Sequence, residues 1–582
     1  MSKLCGIAQL DPHPVSPSDD AFVHAALQAP GYFAPSVHRT AGAVFGWASG
    51  CDFSQGSGIS QSRDGSVCSC DGRLDNRTHL LRHTQLPSGS ADSSILLHLY
   101  QQRGIAGLRD AIGDWSLCLW DAQRRTLILA SDYAGIRPLY YRHTGDTVYW
   151  ASTLGDLIRW TGASDLDDSW AAGFVAGSVP PGRTPYIGIN CVPPGHAVSI
   201  SRDAVDVRPF WSVAEIPLVR YPDPRDYEEQ LNELFQEAVR ERLGATSPNC
   251  AELSGGLDSS SVVCMADRLG KEARSEVRRL CTFSYSFDRC PDEEFFLEVE
   301  RACEVNAFRL HLRDCPPLDA VQPATGEPAW WTPRFREIAR RMSELGSGVL
   351  LSGQFGDLIM GNTNDDSSQV TGWFARGRFL RGVREAYDWA RGLQTPVYPI
   401  LWRCAGEAFS AWQPAAPSRT DWRVVPPGLR RRFAAVESAL LSRSLQTPEP
   451  LQHLSFTHPF AHRPLVEFML GIPQDLVCRP GEPRRLMRRA FADLLPPRVL
   501  QRRSKAAYTS IYLDALKPLA GAMHKHPAAI QVVQRGLADL PTLLTRLERL
   551  HQGIEDEPTL RNLILLEYWL RGRFAAPRKA AA

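Results

Sequence analysis

At 582 residues the chain is too long for one hydrophobic core, so about two to four domains are expected. Lys+Arg 65 against Asp+Glu 64 leaves a formal charge of +1, which excludes the basic footprint of a nucleic-acid binder or of a protein held on anionic lipid. No run reaches signal-peptide or membrane-spanning length, so a cytoplasmic protein with no membrane or nucleic-acid partner is expected. The 14 cysteines are scattered, as in a reducing compartment. Cys68 and Cys70, with Cys51 nearby, lack a second pair at zinc-ligand spacing and read as free thiols.

From the N-terminus to about Val207, short β-type runs alternate with turn clusters: Ala43–Trp47, Leu117–Trp120, Thr126–Ala130 and Leu139–Tyr141. Their length and their aromatic and β-branched content predict stacked sheets with few helices. A Pro-containing stretch, Ile216 to Pro224, breaks the pattern and predicts a linker. Beyond it Tyr227, Leu231, Leu234, Phe235, Val239 and Leu243 recur at helical spacing. The rest is mostly helical, interrupted by short apolar strands ending in Glu252-Leu253, Leu280–Phe283 and Val349–Leu351, as an open parallel sheet requires.

The strongest chemical signal is Leu253-Ser254-Gly255-Gly256-Leu257-Asp258-Ser259-Ser260, between a short strand and a helical segment. Two glycines let backbone amides approach a phosphate, hydroxyls add donors, and the helix N-terminus contributes partial positive charge. No Gly-Lys-Ser/Thr follows, so this is not a Walker loop. An Asp inside the loop points to magnesium bridging a pyrophosphate leaving group; the competing reading is a plain Gly-Ser turn. Val349 to Asp357 is a second strand running into a Gly-containing turn, and such turns gather at the carboxyl ends of strands.

These residues resemble the pyrophosphatase-loop ligases, and over essentially the whole length the chain is similar to the asparagine synthetase family. The resemblance implies an N-terminal-nucleophile αββα sandwich at residues 1–212, a linker at 213–224, and a mostly helical α/β domain with a parallel-sheet ATP pyrophosphatase fold at 225–582. It implies ATP and Mg²⁺, cleavage to AMP and pyrophosphate, and a substrate carboxylate carried as an adenylate. By the same resemblance Ser254, Gly255, Gly256, Asp258, Ser259 and Ser260 line the pyrophosphate site. Leu253, Thr282, Ser284 and Gly353 join the nucleotide site, and Asp258 and Asp357 hold the metal. Lys505, at the end of the basic run from Arg484, is assigned to phosphate and to charge developing at the acyl carbon.

Several positions depart from that pattern. Gln354 stands where asparagine synthetases carry Glu and β-lactam synthetases carry Tyr, and Leu358 replaces the Glu after the metal Asp. Gln354 followed by Gly-Asp-Leu-Ile-Met-Gly-Asn is more similar to lasso-peptide cyclases, which places Gln354 among the catalytic candidates. His462 stands where relatives have Asp, and a packed helix-end position is expected for it.

The first half resembles a class II glutaminase through Cys5-Gly6-Ile7, Asp71–Asn76, Asp92-Ser93 and Asp132–Tyr141. That chemistry needs a cysteine whose own α-amine is its base, and Cys5 is preceded by four residues. Asp71 replaces the oxyanion-hole Asn, and no Arg lies around Phe45-Gly46-Trp47. A silent glutaminase is expected, with the amine supplied by the substrate itself. The resemblance therefore implies a lasso-peptide macrolactam cyclase acting on a linear precursor peptide, served by a leader peptidase and a leader-binding protein. The alternatives are an asparagine synthetase, a β-lactam-synthetase-like enzyme acting on another amino/carboxylate substrate, and a non-enzymatic nucleotide-binding relic.

Overall fold

The computed structural model describes residues 2–50, 58–244, 247–272, 280–318, 326–361, 367–410, 420–503, 509–552 and 558–575. The N-terminal half is two six-stranded sheets, antiparallel throughout. Alternation along Lys3–Gln9 and Ala43–Ser49 in one sheet, and along Gly113–Asp121 and Thr126–Ser131 in the other, sends alternate side chains into the space between them. Leu4, Phe45, Trp150, Cys118, Leu129 and Val198 fill that space. Helices cover both outer faces, Pro17–Leu27 over the first sheet and Asp92–Arg103 over the second, giving the αββα layering. Cys68 and Cys70 are buried free thiols, and Cys51 lies outside the described residues.

After a short 3₁₀ turn at Val213–Glu215, the chain enters the helix Pro224–Arg240, which buries Tyr227, Leu231, Phe235 and Val239 on one face. Five strands then form an all-parallel sheet, ordered Asn306–His311, Leu280–Ser286, Asn249–Glu252, Val349–Leu351, Ser455–Thr457. The chain builds outward from Asn249–Glu252 in one direction, then returns to add Val349–Leu351 on its other side. The strand order therefore reverses between these two strands, and such a switch point leaves a crevice beyond their carboxyl ends. Farther on, the helices Thr509–Lys525, Leu540–His551 and Pro558–Ala575 turn back onto the N-terminal half. Leu516, Leu543, Leu547 and Trp569 share one core with Cys5, Ile7, Val23 and Leu27. No described helix is long and apolar enough to cross a membrane.

The two halves meet across a buried cluster of charges. Arg242 donates to Asp75 Oδ2 (3.2 Å) and Asp114 Oδ1 (3.1 Å), while Arg73 reaches Asp75 Oδ1 (2.9 Å) and Asp114 Oδ2 (2.8 Å). Thr457 donates to Asp114 Oδ2 (2.8 Å), and His462 Nδ1 lies 3.1 Å from Asp75 Oδ2. His462 sits at the start of the helix Arg463–Gly471, buried against this cluster. The packed helix-end position expected for His462 is the one it occupies, against Asp75 from the other half. Burial alone raises a carboxyl pKa, but Arg242 and Arg73 outweigh it, holding Asp75 well below the usual range and Asp114 at about 2.

Removing one member of such a cluster strands a buried charge. Asp114→Ala is expected to lower stability by about 3–5 kcal/mol, read from urea denaturation. An unfolded-chain Asp titrates near roughly 3.9, so the stabilisation from Asp114 is present above about pH 4 and is lost as pH falls through about 2. The wild-type and variant stability curves should therefore converge on acidification.

Candidate active site

The loops after Asn249–Glu252 and Val349–Leu351 start side by side, because these strands pair in register with Asn249 opposite Val349 and Ala251 opposite Leu351. Their approach is close enough to require glycine. A Cβ on Gly353 would sit 2.6 Å from the Ser259 amide nitrogen, and one on Gly356 would sit 2.6 Å from Asp258 Cγ. The first loop is held open by its own serines: Ser259 Oγ accepts from the Ser254 amide (3.1 Å) and lies 3.1 Å from Ser254 Oγ. Helix Leu257–Glu272 follows at once, so its free amide groups face the loop. Ser254, Gly256, Asp258, Ser259, Gly353, Gln354 and Asp357 all line one cavity of about 330 Å³. Gln354 is exposed in it.

Asp258 and Asp357 converge on a single cation. One Arg484 guanidinium donates to Asp258 Oδ1 and to Asp357 Oδ1. Two carboxylates meeting at one positive group form a donor set suited to Mg²⁺, which takes few carboxylates and completes its shell with phosphate oxygens and water. Among the described residues no group of three or more His, Cys, Asp or Glu gathers elsewhere to compete as a metal centre. Arg484 itself has φ +56, Phe355 has φ +75 and Trp331 has φ +66. Each left-handed non-glycine residue costs on the order of 1–3 kcal/mol, and all three stand in or beside the cavity wall.

Further arginines form a basic wall. Arg502 donates to the Gly255 carbonyl (3.0 Å) and pairs with Asp292, while its guanidinium stacks 4.0 Å from the Phe295 ring centroid. Arg488 donates to the carbonyls of Pro483 (3.1 Å), Leu500 and Arg502 (2.6 Å), fixing the segment that carries Arg502 and Arg503 to the cavity. Lys505, the residue assigned above to the acyl carbon, lies outside the described residues.

The far end of the cavity is aromatic. Tyr285 donates to Glu252, and the Arg334 guanidinium lies 4.4 Å from the Tyr285 ring centroid and 5.0 Å from that of Trp331. The strand Leu280–Ser286 alternates its faces, so Tyr285 reaches the cavity while its neighbours do not. Ser284 donates instead to Glu300 on the helix behind (3.2 Å), and Thr282 is buried in the sheet. Thr282 and Ser284 thus stand outside the cavity lining, whereas Tyr285 and, on the adjacent strand, Glu252 line it. Leu253, Gly255 and Ser260 shape the loop from behind without lining the cavity. Glu252, Tyr285, Trp331, Arg334 and Arg484 went unassigned in the sequence, and strand alternation from the Leu253 junction is the signal that could have found the first two.

In the N-terminal half, Cys5 lies inside the strand Lys3–Gln9, opposite Gly46 on one side and Ala151 on the other. Burial, aided by Asp156, pushes its thiol up to about 12. The residues before it are built in: Lys3 pairs with Asp156 at 2.8 Å, the Leu4 amide donates to Ser152 Oγ (3.1 Å), and the Ser2 amide donates to Asp71 Oδ1 (2.5 Å).

Comparison with known proteins follows this division. Residues 73–211 match the glutamine amidotransferase domain family, and residues 230–571 match the asparagine synthase family. Asparagine synthetase [glutamine-hydrolyzing] 3 of Bacillus subtilis is 27% identical over 460 residues, covering 71% of this chain and 70% of its own length. Amidase chyE of Penicillium rubens is 31% identical over 217 residues, 34% of this chain, and amidase chry2 of Gibberella zeae is 31% identical over 194. The chain spans only about a third of the length of these two amidases, 31% and 28% respectively. With more than half of its residues matched by one family, this chain belongs to the asparagine synthase family.

Proposed function

We propose that this protein is an AMP-forming carbon–nitrogen ligase that closes an amide within one substrate, most specifically an isopeptide macrolactam in a linear precursor peptide. The observation that carries the ligase reading is the convergence of Asp258 and Asp357 across two touching loops at the switch point. A carboxylate oxygen of the substrate attacks the α-phosphorus of ATP, and pyrophosphate leaves toward Ser254, Gly256 and Ser259. The substrate amine then attacks the acyl carbon and AMP leaves, so the peptide loses one water. Mg²⁺ held by Asp258 and Asp357 would neutralise charge on the departing pyrophosphate. Arg484, Arg502 and Arg503 add fixed positive charge where phosphate charge accumulates.

The intramolecular part of this reading rests on the Cys5 region. A thiol buried in mid-strand, with its nitrogen in a peptide bond and the preceding residues tied to Asp156, Ser152 and Asp71, has no free amine to serve as its base. The amine therefore comes with the substrate, where its attack is effectively unimolecular and the cavity keeps water from the adenylate. Delivery by a leader peptidase and a leader-binding protein belongs to the same reading. A second reading, asparagine synthesis, is favoured by the match over 70% of the length of the Bacillus subtilis synthetase.

Incubation with ATP and a candidate linear peptide should yield AMP, pyrophosphate and a product lighter by one water. Asparagine formed from aspartate and ammonia, without peptide condensation, would establish the second reading. Asp258→Asn and Gly353→Ala should each slow pyrophosphate release by about 100-fold or more, since one loses a phosphate-side charge and the other forces the loops apart. Cys5→Ala should leave condensation unchanged, and glutamine should yield no glutamate with either protein.

A further inference from the structure

We propose that the paired helices Phe379–Leu393 and Val397–Phe409 form a docking surface for an acidic polypeptide that carries apolar residues among its carboxylates. Exposed large hydrophobic side chains concentrate here. Leu380 is 91% exposed, Trp402 73%, Tyr398 68%, Phe409 67% and Tyr387 56%. Leu380, Val383 and Tyr387 recur at three- and four-residue intervals and so share one face of the first helix. Tyr398 and Trp402, one turn apart and stacked at 6.2 Å, share a face of the second. Phe379 bridges the two, with its ring 6.3 Å from that of Phe409. The result is one apolar patch spanning both helices, of the kind that marks an interaction site.

Its border is strongly basic, and the basic groups are all arginine. Arg376, Arg378, Arg381, Arg384 and Arg391 are all exposed, whereas Asp388 is the one exposed acid from 376 to 393. Three of these guanidiniums crowd a single indole: Arg381, Arg376 and Arg378 lie 3.8, 4.4 and 5.8 Å from the Trp373 centroid. Glu385, the nearby acid, is engaged by the Trp373 indole N–H (3.1 Å). Burial and then the repulsion of Arg378, Arg381 and Arg220 hold Arg376 below the ordinary arginine range. Like charges gathered this way favour an anionic partner.

Carboxylates are the favoured anion. Arginine's planar fork pairs with them bidentately, and Trp, Tyr and Arg together are the composition of protein-interface hot spots. A second copy of this chain would bring one arginine cluster against another. This inference is independent of the nucleotide chemistry proposed above.

The test uses the full-length protein and a fluorescein-labelled amphipathic peptide of Glu and Leu. Phosphatidylglycerol vesicles, a single-stranded oligonucleotide and a Lys-for-Glu version of the peptide serve as the other probes. The acidic peptide should bind, and Leu380→Glu and the pair Arg378→Ala/Arg381→Ala should each weaken it by about tenfold or more. Because Leu380 is almost wholly exposed, the ATP-dependent activity and melting temperature of Leu380→Glu should match wild type. Failure of the acidic peptide to bind overturns the proposal whatever the other probes do. So does equal binding by the variants, or a wild-type dimer that the variants abolish.

Discussion

A nucleotide's phosphates can be held between two loops only if those loops come within contact distance, and here two glycines of one loop press against the backbone and the Asp258 side chain of the other. Gly353 lies so close to Ser259, and Gly356 to Asp258, that a single methyl group would collide with either. This contact follows from sheet topology. Asn249–Glu252 and Val349–Leu351 are neighbours although about a hundred residues separate them, because the chain reverses its building direction between them. With the loops in contact, Asp258 and Asp357 face the same small volume and share the Arg484 guanidinium. Arg502 then grips the first loop from behind through the Gly255 carbonyl, so a second layer of side chains fixes the loop's shape.

The same logic of fixed charge governs the junction between the halves. Arg73, Asp75, Asp114 and Arg242 alternate in sign and bury nearly all their polar atoms against one another, with Thr457 and His462 completing the shell. A buried cluster of this kind adds little net stability over a well-packed apolar junction, but it tolerates only one registration of the two surfaces. Tyr133 donating to the Ala461 carbonyl and Trp211 donating to Glu467 (2.7 Å) tie the same surfaces together nearby. The parallel sheet ends at Ser455–Thr457, so the orientation of the N-terminal half is coupled directly to the edge of the sheet that builds the cavity.

Much of this was legible in the residues because it is local. The Ser254–Ser260 loop sits between a short apolar strand and a helix in the sequence itself, and the Ser352–Asp357 turn announces itself the same way. What could not be read was anything made by side chains far apart in sequence. Arg484 looked like one arginine in a basic run, yet its guanidinium reaches both aspartates. The partner of His462 could not be read from its surroundings in sequence, because Asp75 lies 387 positions away. Thr282 and Ser284 lie on the strand face opposite Tyr285; strand alternation fixes which faces are equivalent but not which face meets the cavity.

A glutaminase-like half with a buried, protonated Cys5 is better understood as a structural part than as a remnant awaiting loss. Its first sheet and covering helix supply Cys5, Ile7, Val23 and Leu27 to the core that seats Leu543, Leu547 and Trp569. Cys5 contributes to that core as a small apolar side chain, and burial keeps its thiol protonated. The chain ahead of it has become structure as well, since Lys3 neutralises the otherwise buried Asp156 and Ser2 satisfies Asp71. Freeing an amine at Cys5 would mean withdrawing residues 2–4 from these partners, leaving buried Asp71 without its Ser2 donor and Asp156 with Arg159 and Thr153 but not Lys3. That loss would be felt as lowered stability before any hydrolysis of glutamine could be gained. The geometry that buries the thiol and the geometry that holds this half together are therefore the same contacts.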